Sequence, residues 1–399
     1  MAYLVQWLSV ILGSLIYTNT NYYKIIYMHK NIKLTIWFAV AILGTFALST
    51  IALSRGESIN ALWLITAAVC IYAIAYRFYA AWIAATVLTI DETRATPAER
   101  LDNGRDFMPT NKWVVFGHHF AAIAGPGPLI GPTLAAQFGY LPGTLWILIG
   151  VVLGGAVQDM VTLFFSTRRD GRSLGQMARD EIGVIGGTAA LIGTFLIMII
   201  LIAVLGLVVV NAMKHSPWAT STVAATIPIA MFIGLYMRNI RPGRVLEASA
   251  IGVALLLFSV FAGGWIDHNA TLRVLFDHEG LPLAYALIVY GFAAAVLPVW
   301  LLLAPRDYLS TYMKLGTVML LAIAIIILRP EIHMPAITQF TDGTGPIFGG
   351  KLFPFVFITI ACGAISGFHA LISSGTTPKL LANERDIRVI GYGAMLLES

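Results

Sequence analysis

The stretch "FGHHFAAIAGPGPLIGP", residues 116–132, places two adjacent histidines and three Gly-Pro pairs inside an otherwise apolar segment. Proline removes a backbone N–H and disfavours helix at the preceding residue, while glycine tolerates strained backbone. We therefore predict a helix that is interrupted around Gly125 to Pro132. At membrane depth such backbone is tolerated only inside protein or beside a wet cavity, and in secondary transporters it forms substrate and ion sites. The alternative is a proline kink filled by neighbouring helices and water. A kink needs fewer Gly-Pro pairs than the three present, so the sequence favours a functional interruption.

The composition indicates an all-α, polytopic transmembrane helical bundle. Of the 399 residues, 58% are hydrophobic and 11% charged, with a mean hydropathy of +0.82, whereas soluble domains carry about 25% charged residues. The formal charge of +5 is expected in cytoplasmic loops facing the lipid headgroups, so no nucleic-acid partner is predicted. Cys70 and Cys362 lie in apolar runs and are interpreted as small hydrophobic residues, not as a disulfide or a clustered metal site.

A helix needs about 20 apolar residues to cross the hydrocarbon core, and the sequence supplies ten candidate spans. They are 34–53, 61–88, 114–138, 142–166, 188–211, 221–237, 246–266, 282–303, 309–328 and 353–377. With residues 28–33 in the cytoplasm, most Lys and Arg residues fall in the inner loops, as the positive-inside rule requires. The predicted inner loops are 91–113, 167–187, 238–245, 304–308 and the C-terminal tail.

A second segment, "SGFHALISSGTTPKL" at residues 366–380, repeats features of the first. Four residues of the first segment recur at a constant offset of 250: Gly117, His119, Gly125 and Pro128 correspond to Gly367, His369, Gly375 and Pro378. The two spans run in opposite directions in the predicted topology. This predicts two discontinuous helices related as parts of an inverted repeat, and the alternative is a chance match of four positions in a glycine-rich chain.

Polar residues follow one face of the second segment. Cys362, Ser366, His369, Ser373 and Thr377 fall at spacings of three and four, which align on a helix. Hydroxyl groups on membrane helices commonly serve packing or bond their own backbone. The imidazole on the same stripe, beside further hydroxyls at the interruption, nevertheless favours a polar site.

Asp159, in "VLGGAVQDMV" (residues 152–161), is an acid deep within a predicted span. A carboxylate there must pair, become protonated or coordinate a cation, unless it is a packing residue capped by a neighbouring helix. Histidine titrates near physiological pH, which suits a proton carrier. The candidate substrate-binding or ion-coupling residues are His118, His119, Gly125, Gly127, Asp159, His369, Ser373, Ser374 and Thr376.

Several long motifs resemble the carbon starvation protein A (CstA) family of bacterial inner-membrane permeases. They are "GESINALW", "AYRFYAAW", "FGHHFAAIAGPGPLIGPTLAAQFGYLPG", "STRRDGRSLG", "AAVLPVWLLLAPRDYLST" and "ISGFHALISSGTTPKLLANE". The resemblance implies a proton-driven secondary transporter that takes up peptides, with pyruvate as the alternative substrate. Family members are longer, so we expect residues 28–399 to be a transmembrane domain that is incomplete at the C-terminus. Residues 1–27 are expected to be an extension, with Met28 as another possible start.

Two other classes of protein remain as alternatives. A haem or metal protein would use His118 or His119 together with His369 as ligands, but the sequence shows no acid cluster near them, so no cofactor is predicted. A structural or signalling membrane protein would leave the interruptions unexplained. Nucleotide binding at Gly125, Gly127 and Gly131 is excluded because the intervening prolines remove N–H donors. We therefore predict a transporter rather than an enzyme, driven by an ion gradient, with H⁺ expected and Na⁺ open.

Overall fold

The computed structural model describes Leu43 and residues 59–399, and the described part of the chain is helical, with one isolated β-bridge between Thr110 and Leu381. Within the described residues, six helices are long and apolar enough to cross a membrane: α1 (Ala61–Val87), α5 (Tyr140–Arg168), α6 (Leu174–Met213), α7 (Pro217–Ile240), α8 (Val245–His268) and α11 (Leu303–Leu328). The apolar helix α10 (Gly280–Val296) is shorter. The predicted all-α, polytopic class is confirmed.

Shorter helices connect and interrupt these spans. They are α2 (Pro97–Arg100), α3 (Lys112–Ile123), α4 (Gly127–Ala135), α9 (Ala270–Arg273), α12 (Leu352–Thr359), α13 (Gly367–Ser373) and α14 (Thr377–Leu380). The last helix, α15, begins as the π-helical stretch Arg388–Gly393 and continues as Ala394–Glu398. All of these helices belong to one compact unit, Ala61–Ser399. The predicted extension 1–27 and, apart from Leu43, the predicted span 34–53 lie outside the described residues.

Both predicted interruptions are present. The first separates α3, which ends at Ile123, from α4, which begins at Gly127. It is shorter than predicted because Pro128 lies in the first turn of α4, where a missing N–H has no helical partner, and Pro132 continues the helix.

The second interruption matches the first in register. Helix α13 ends at Ser373 and α14 begins at Thr377, each 250 residues after the corresponding boundary of the first interruption. The repeated residues therefore coincide with a repeated break in the backbone. The opposite membrane orientation of the two segments stays a prediction.

Three predicted boundaries are wrong for local reasons. Residues 174–187 are helical rather than loop because Ser173 and Gln176 form a capping box that starts α6, and Gly183, with φ of 83°, interrupts its helical geometry. Helix α11 begins at Leu303 and includes the predicted inner loop 304–308. Helix α10 ends at Val296 because Pro298 favours extended backbone at Leu297, whose φ and ψ are −68° and 150°.

The core that positions the candidate site forms where α1, α3, α5 and α15 meet. Met160, Leu163, Tyr392 and Met395 are buried there, and the Tyr392 hydroxyl donates to the Val152 carbonyl at 2.9 Å. A Cβ on Gly391 would lie 2.7 Å from the Cα of Met160. Glycine at this position therefore lets α15 approach the backbone of α5 closely.

Large apolar side chains are exposed on the outer helices. Phe261 on α8 and Phe292 on α10 are 76% and 71% exposed, and Ile202 on α6 is 70% exposed. Unpartnered apolar faces of this kind are what lipid-facing helices require, because lipid tails are as apolar as the side chains.

Candidate functional site

The two adjacent histidines of α3 are buried and have different partners. His119 is fully buried, and its Nδ1 lies 2.9 Å from the Thr377 hydroxyl at the start of α14. His118 is 3% exposed, and its Nδ1 lies 3.0 Å from Oδ2 of Asp307 on α11. The latter atoms are close enough for an ion pair but are not aligned as a hydrogen bond. Neighbouring helical residues point about 100° apart, which explains the separate partners.

Helix α11 packs closely against the histidine-bearing turn of α3. A Cβ on Gly117 would lie 2.9 Å from Cδ2 of Tyr308, so glycine makes room for the aromatic ring. The Thr311 hydroxyl donates to the Gly117 carbonyl at 2.6 Å. This contact fixes Asp307, one turn earlier on α11, beside His118.

The interruption after α3 frees a carbonyl that α11 then uses. In a continuous helix Gly125 N would donate to the Ala121 carbonyl, but here it donates to the Ile123 carbonyl at 2.8 Å. Lys314 on α11 donates instead to the Ala121 carbonyl at 2.6 Å. The ammonium group of α11 thus binds a backbone carbonyl that the interruption leaves free at the end of α3.

A cavity of about 350 Å³ opens beside this contact, and we call it the Asp307 cavity. Its polar lining comprises Thr226, Arg306, Asp307, Ser310 and Lys314. The Arg306 guanidinium lies 4.8 Å from the centre of the Tyr290 ring, and its Nε is buried with no hydrogen-bond partner among the described residues. Two cations and one carboxylate give the cavity a positive balance that suits an anionic group.

A second group of polar residues surrounds His369, and we call it the His369 cluster: Asp159, Cys362, His369 and Glu398. His369 Nδ1 lies 3.1 Å from Oδ2 of Asp159 on α5, and His369 Nε2 lies 3.7 Å from Oε1 of Glu398 on α15. The side chains of all three residues are 0% exposed. The expectation that no acid cluster lies near the histidines is therefore wrong, because folding brings together carboxylates that are distant in sequence.

Cys362 belongs to this cluster rather than serving only as a small hydrophobic residue. Its Sγ lies 3.6 Å from His369 Nε2 and 3.9 Å from Glu398 Oε1. A Cβ on Gly127 would lie 2.8 Å from the same sulfur, so the start of α4 leaves space for the thiol. The other cysteine, Cys70, is exposed.

The remaining predicted site residues have more varied surroundings. Open space surrounds the Cβ position of Gly125. Ser373 is fully buried, and its hydroxyl has no partner among the described residues. The Ser374 hydroxyl donates to the Ala370 carbonyl at 2.7 Å and accepts from Leu174 N at 3.1 Å. Thr376 lies in the second interruption. Roles for these residues in binding or coupling stay predictions.

Four charged residues of the two sites were not among the predicted candidates. Arg306, Asp307 and Lys314 had been assigned to an inner loop or its border, although the spacing of seven between Asp307 and Lys314 places them on one helix face. Glu398 falls in the C-terminal tail, which is predicted to be an inner loop. An acid in an apolar run is a functional candidate by default, and that rule would have selected Glu398 as it selected Asp159.

The two interruptions, the Asp307 cavity and the His369 cluster all fall within residues 60–399. These residues match the family sequence model described as Carbon starvation protein CstA. The chain belongs to the carbon starvation protein CstA family. It is 60% identical over 372 residues to a peptide transporter CstA of Escherichia coli K12, covering 93% of this chain and 53% of the relative.

Other relatives in the carbon starvation protein CstA family have similar identity. The pyruvate/proton symporter BtsT of Escherichia coli K12 is 59% identical over 91% of this chain and 51% of its own length. A peptide transporter CstA of Mycobacterium tuberculosis H37Rv is 57% identical over 90% of this chain and 48% of its own length. The chain thus spans about half the length of the curated relatives it matches. No solved structure matches it.

Proposed function

We propose that this chain is part of a carbon-starvation-type secondary transporter that takes up peptides with protons across the bacterial inner membrane. The observation that carries the proposal is the Asp307 cavity, where Arg306 and Lys314 face a space of about 350 Å³ beside an interrupted helix. Cavities of about 300–1,000 Å³ are typical of small-molecule sites. The transported substrate would leave the cavity chemically unchanged, so the role is transport rather than catalysis.

The substrate carboxylate would bind at Arg306 and Lys314. Arginine recognises carboxylates through paired N–H donors, and the buried Nε of Arg306 has no hydrogen-bond partner among the described residues. Lys314 is already held at the end of α3 by the Ala121 carbonyl. A carboxylate entering the cavity would therefore meet two positioned cations.

His118 would carry the coupled proton. A protonated imidazole would be stabilised by Asp307 at 3.0 Å and would add a positive charge beside the cavity. The proton and the substrate carboxylate would then each strengthen binding of the other, which is the thermodynamic requirement for symport.

Pyruvate is the alternative substrate because it carries the same carboxylate, and a pyruvate/proton symporter of the family is nearly as similar to this chain as a peptide transporter is. The size of the cavity favours a peptide over a three-carbon acid. The predicted cytoplasmic position of residues 28–33 and of the C-terminal tail belongs to the same proposal.

Equilibrium binding to the purified chain in lipid nanodiscs tests this function. Labelled dipeptide and labelled pyruvate are titrated separately, and proton uptake is followed in weakly buffered solution. We expect dipeptide to bind with uptake of a proton, and Arg306→Gln and Lys314→Gln each to weaken binding at least about tenfold, as loss of a charge-assisted contact requires. The control is Lys351→Gln, because Lys351 is exposed and does not line the Asp307 cavity. Binding of pyruvate alone would select the alternative, and binding without proton uptake would overturn the coupling.

A further inference from the structure

We propose that the His369 cluster is a binding site for a divalent transition metal, with Cys362, His369 and Glu398 as ligands and Zn²⁺ as the best-fitting ion. This inference is independent of the proposed transport function. Zinc favours cysteine sulfur, imidazole nitrogen and carboxylate oxygen, and these three ligands supply one of each.

The three donor atoms form a nearly equilateral triangle. Cys362 Sγ, His369 Nε2 and Glu398 Oε1 are separated by 3.6, 3.7 and 3.9 Å. The centre of this triangle lies about 2.2 Å from each atom. That distance is within the range of about 2.0–2.3 Å for zinc bonds to nitrogen, oxygen and sulfur. The ligands would therefore need little movement to bind the ion.

The partners of the second imidazole nitrogen place the histidine in the ligating tautomer. His369 Nδ1 lies 3.1 Å from Asp159 Oδ2 and 3.0 Å from the Met395 sulfur. Both atoms are acceptors, so Nδ1 carries the hydrogen and Nε2 presents its lone pair to Cys362 and Glu398. A carboxylate that orients a metal-binding histidine in this way is a recurrent feature of zinc sites.

Charge and burial also favour a bound cation. Oxygens of two acids in the cluster, Glu398 Oε2 and Asp159 Oδ1, are buried without hydrogen-bond partners among the described residues. Buried charges are costly unless they are paired or coordinate a metal. A divalent ion would balance two of the three negative charges of the ionised cluster, which are those of the Cys362 thiolate and the two carboxylates. Three protein ligands would leave a fourth position open.

Cobalt provides a spectroscopic test because Co²⁺ substitutes for Zn²⁺ and gives a thiolate-to-metal charge-transfer band when cysteine is a ligand. The purified 399-residue chain, stripped with chelator, is titrated with Co²⁺ and then with Zn²⁺. We expect one equivalent of Co²⁺ to give the band and Zn²⁺ to displace it. Cys362→Ser should abolish the band, whereas the matched control Cys70→Ser should retain it.

Two further variants separate ligation from positioning. Glu398→Gln keeps the thiol and should retain a band but bind at least about tenfold more weakly, while Asp159→Asn, which changes only the positioning residue, should weaken binding by about 10–100-fold. Zinc X-ray absorption on the unsubstituted chain should show a single sulfur ligand. Absence of sulfur from the zinc shell, absence of the cobalt band in folded protein, or loss of the band in Cys70→Ser would overturn the site.

Discussion

His119 Nδ1 and the Thr377 hydroxyl oxygen lie 2.9 Å apart, although 258 residues separate them in sequence. His119 lies one turn before the first interruption, and Thr377 is the first residue after the second. Both side chains are fully buried. This hydrogen bond therefore joins the two interrupted segments directly, in a core where neither group can turn to water.

Replacing Thr377 with valine should lower the free energy of unfolding by about 1–3 kcal/mol, the usual cost of leaving a buried polar group without its partner. Thr377→Ser keeps the hydroxyl, so its free energy of unfolding should fall by less than that of Thr377→Val. Denaturant titration in detergent micelles would measure both values. The neighbouring variant Thr376→Val is the control, and an equal loss there would show that the effect is not due to this hydrogen bond.

Gly127 and Gly125 should respond differently to the same added methyl group. A Cβ at Gly127 would lie 2.8 Å from the Cβ and Sγ of Cys362, so Gly127→Ala should lower the free energy of unfolding by about 1–3 kcal/mol through overpacking. Gly125→Ala meets open space and should have a smaller effect. Thermal unfolding of the two variants side by side would measure the difference, and equal losses would contradict the contact with Cys362.

The interruptions could be predicted from sequence because proline and glycine act on the backbone where they stand. The offset of 250 residues was visible for the same reason, and both helix boundaries follow it. The exact length of the first break was not predicted, since Pro132 is accommodated within α4.

The partners of the buried histidines could not be predicted in the same way. Asp159 and His369 are 210 residues apart, and their contact depends on how α13 and α15 pack against α5. Glu398 Oε1 lies 3.7 Å from His369 Nε2 at the end of α15, a helix that Gly391 lets approach Met160 closely. Helical periodicity gives the face on which a residue lies but not the helix that covers it, so His369 and Asp159 were each predicted as candidates without their contact, and Asp307 and Glu398 were not predicted.

Substrate binding should be tighter at low pH, and His118→Gln should remove that dependence. A proton bound at His118 would add a positive charge beside Arg306 and Lys314. Affinity for a carboxylate substrate should therefore fall as pH rises in the unsubstituted chain and stay level in the variant. Titrations with labelled dipeptide at a series of pH values would measure both.

The control for this pH dependence is His268→Gln. His268 is exposed at the end of α8, and its Nδ1 lies 2.7 Å from the carbonyl of Gly264. Its replacement should leave the pH dependence of binding unchanged. If the pH dependence persists in His118→Gln, a group other than His118 carries the coupled proton.

The ion pair between Arg168 and Glu384 should anchor the segment that leads into α15. Glu384 Oε1 lies 2.6 Å from Arg168 Nε, Oε2 accepts from Arg168 Nη2 at 2.8 Å, and the carboxylate side chain is 1% exposed. The same carboxylate accepts from Asp91 N at 3.2 Å, so it ties the end of α5 to the segment after α1. Glu384→Gln should lower the free energy of unfolding by about 1.5–3 kcal/mol, which is the usual contribution of hydrogen bonds to charged groups. Denaturant titration would measure it.

The exposed pair of Arg100 and Asp170 provides the matched control, because both side chains are about half exposed, at 46% and 51%. Asp170→Asn should lower the free energy of unfolding by at most about 1 kcal/mol, since solvent screens exposed ion pairs. Because α15 carries Glu398, Glu384→Gln should also weaken Co²⁺ binding at the His369 cluster, whereas Asp170→Asn should not. Unchanged stability in Glu384→Gln would show that packing of the π-helical stretch, with Tyr392 in the core, holds α15 without the ion pair.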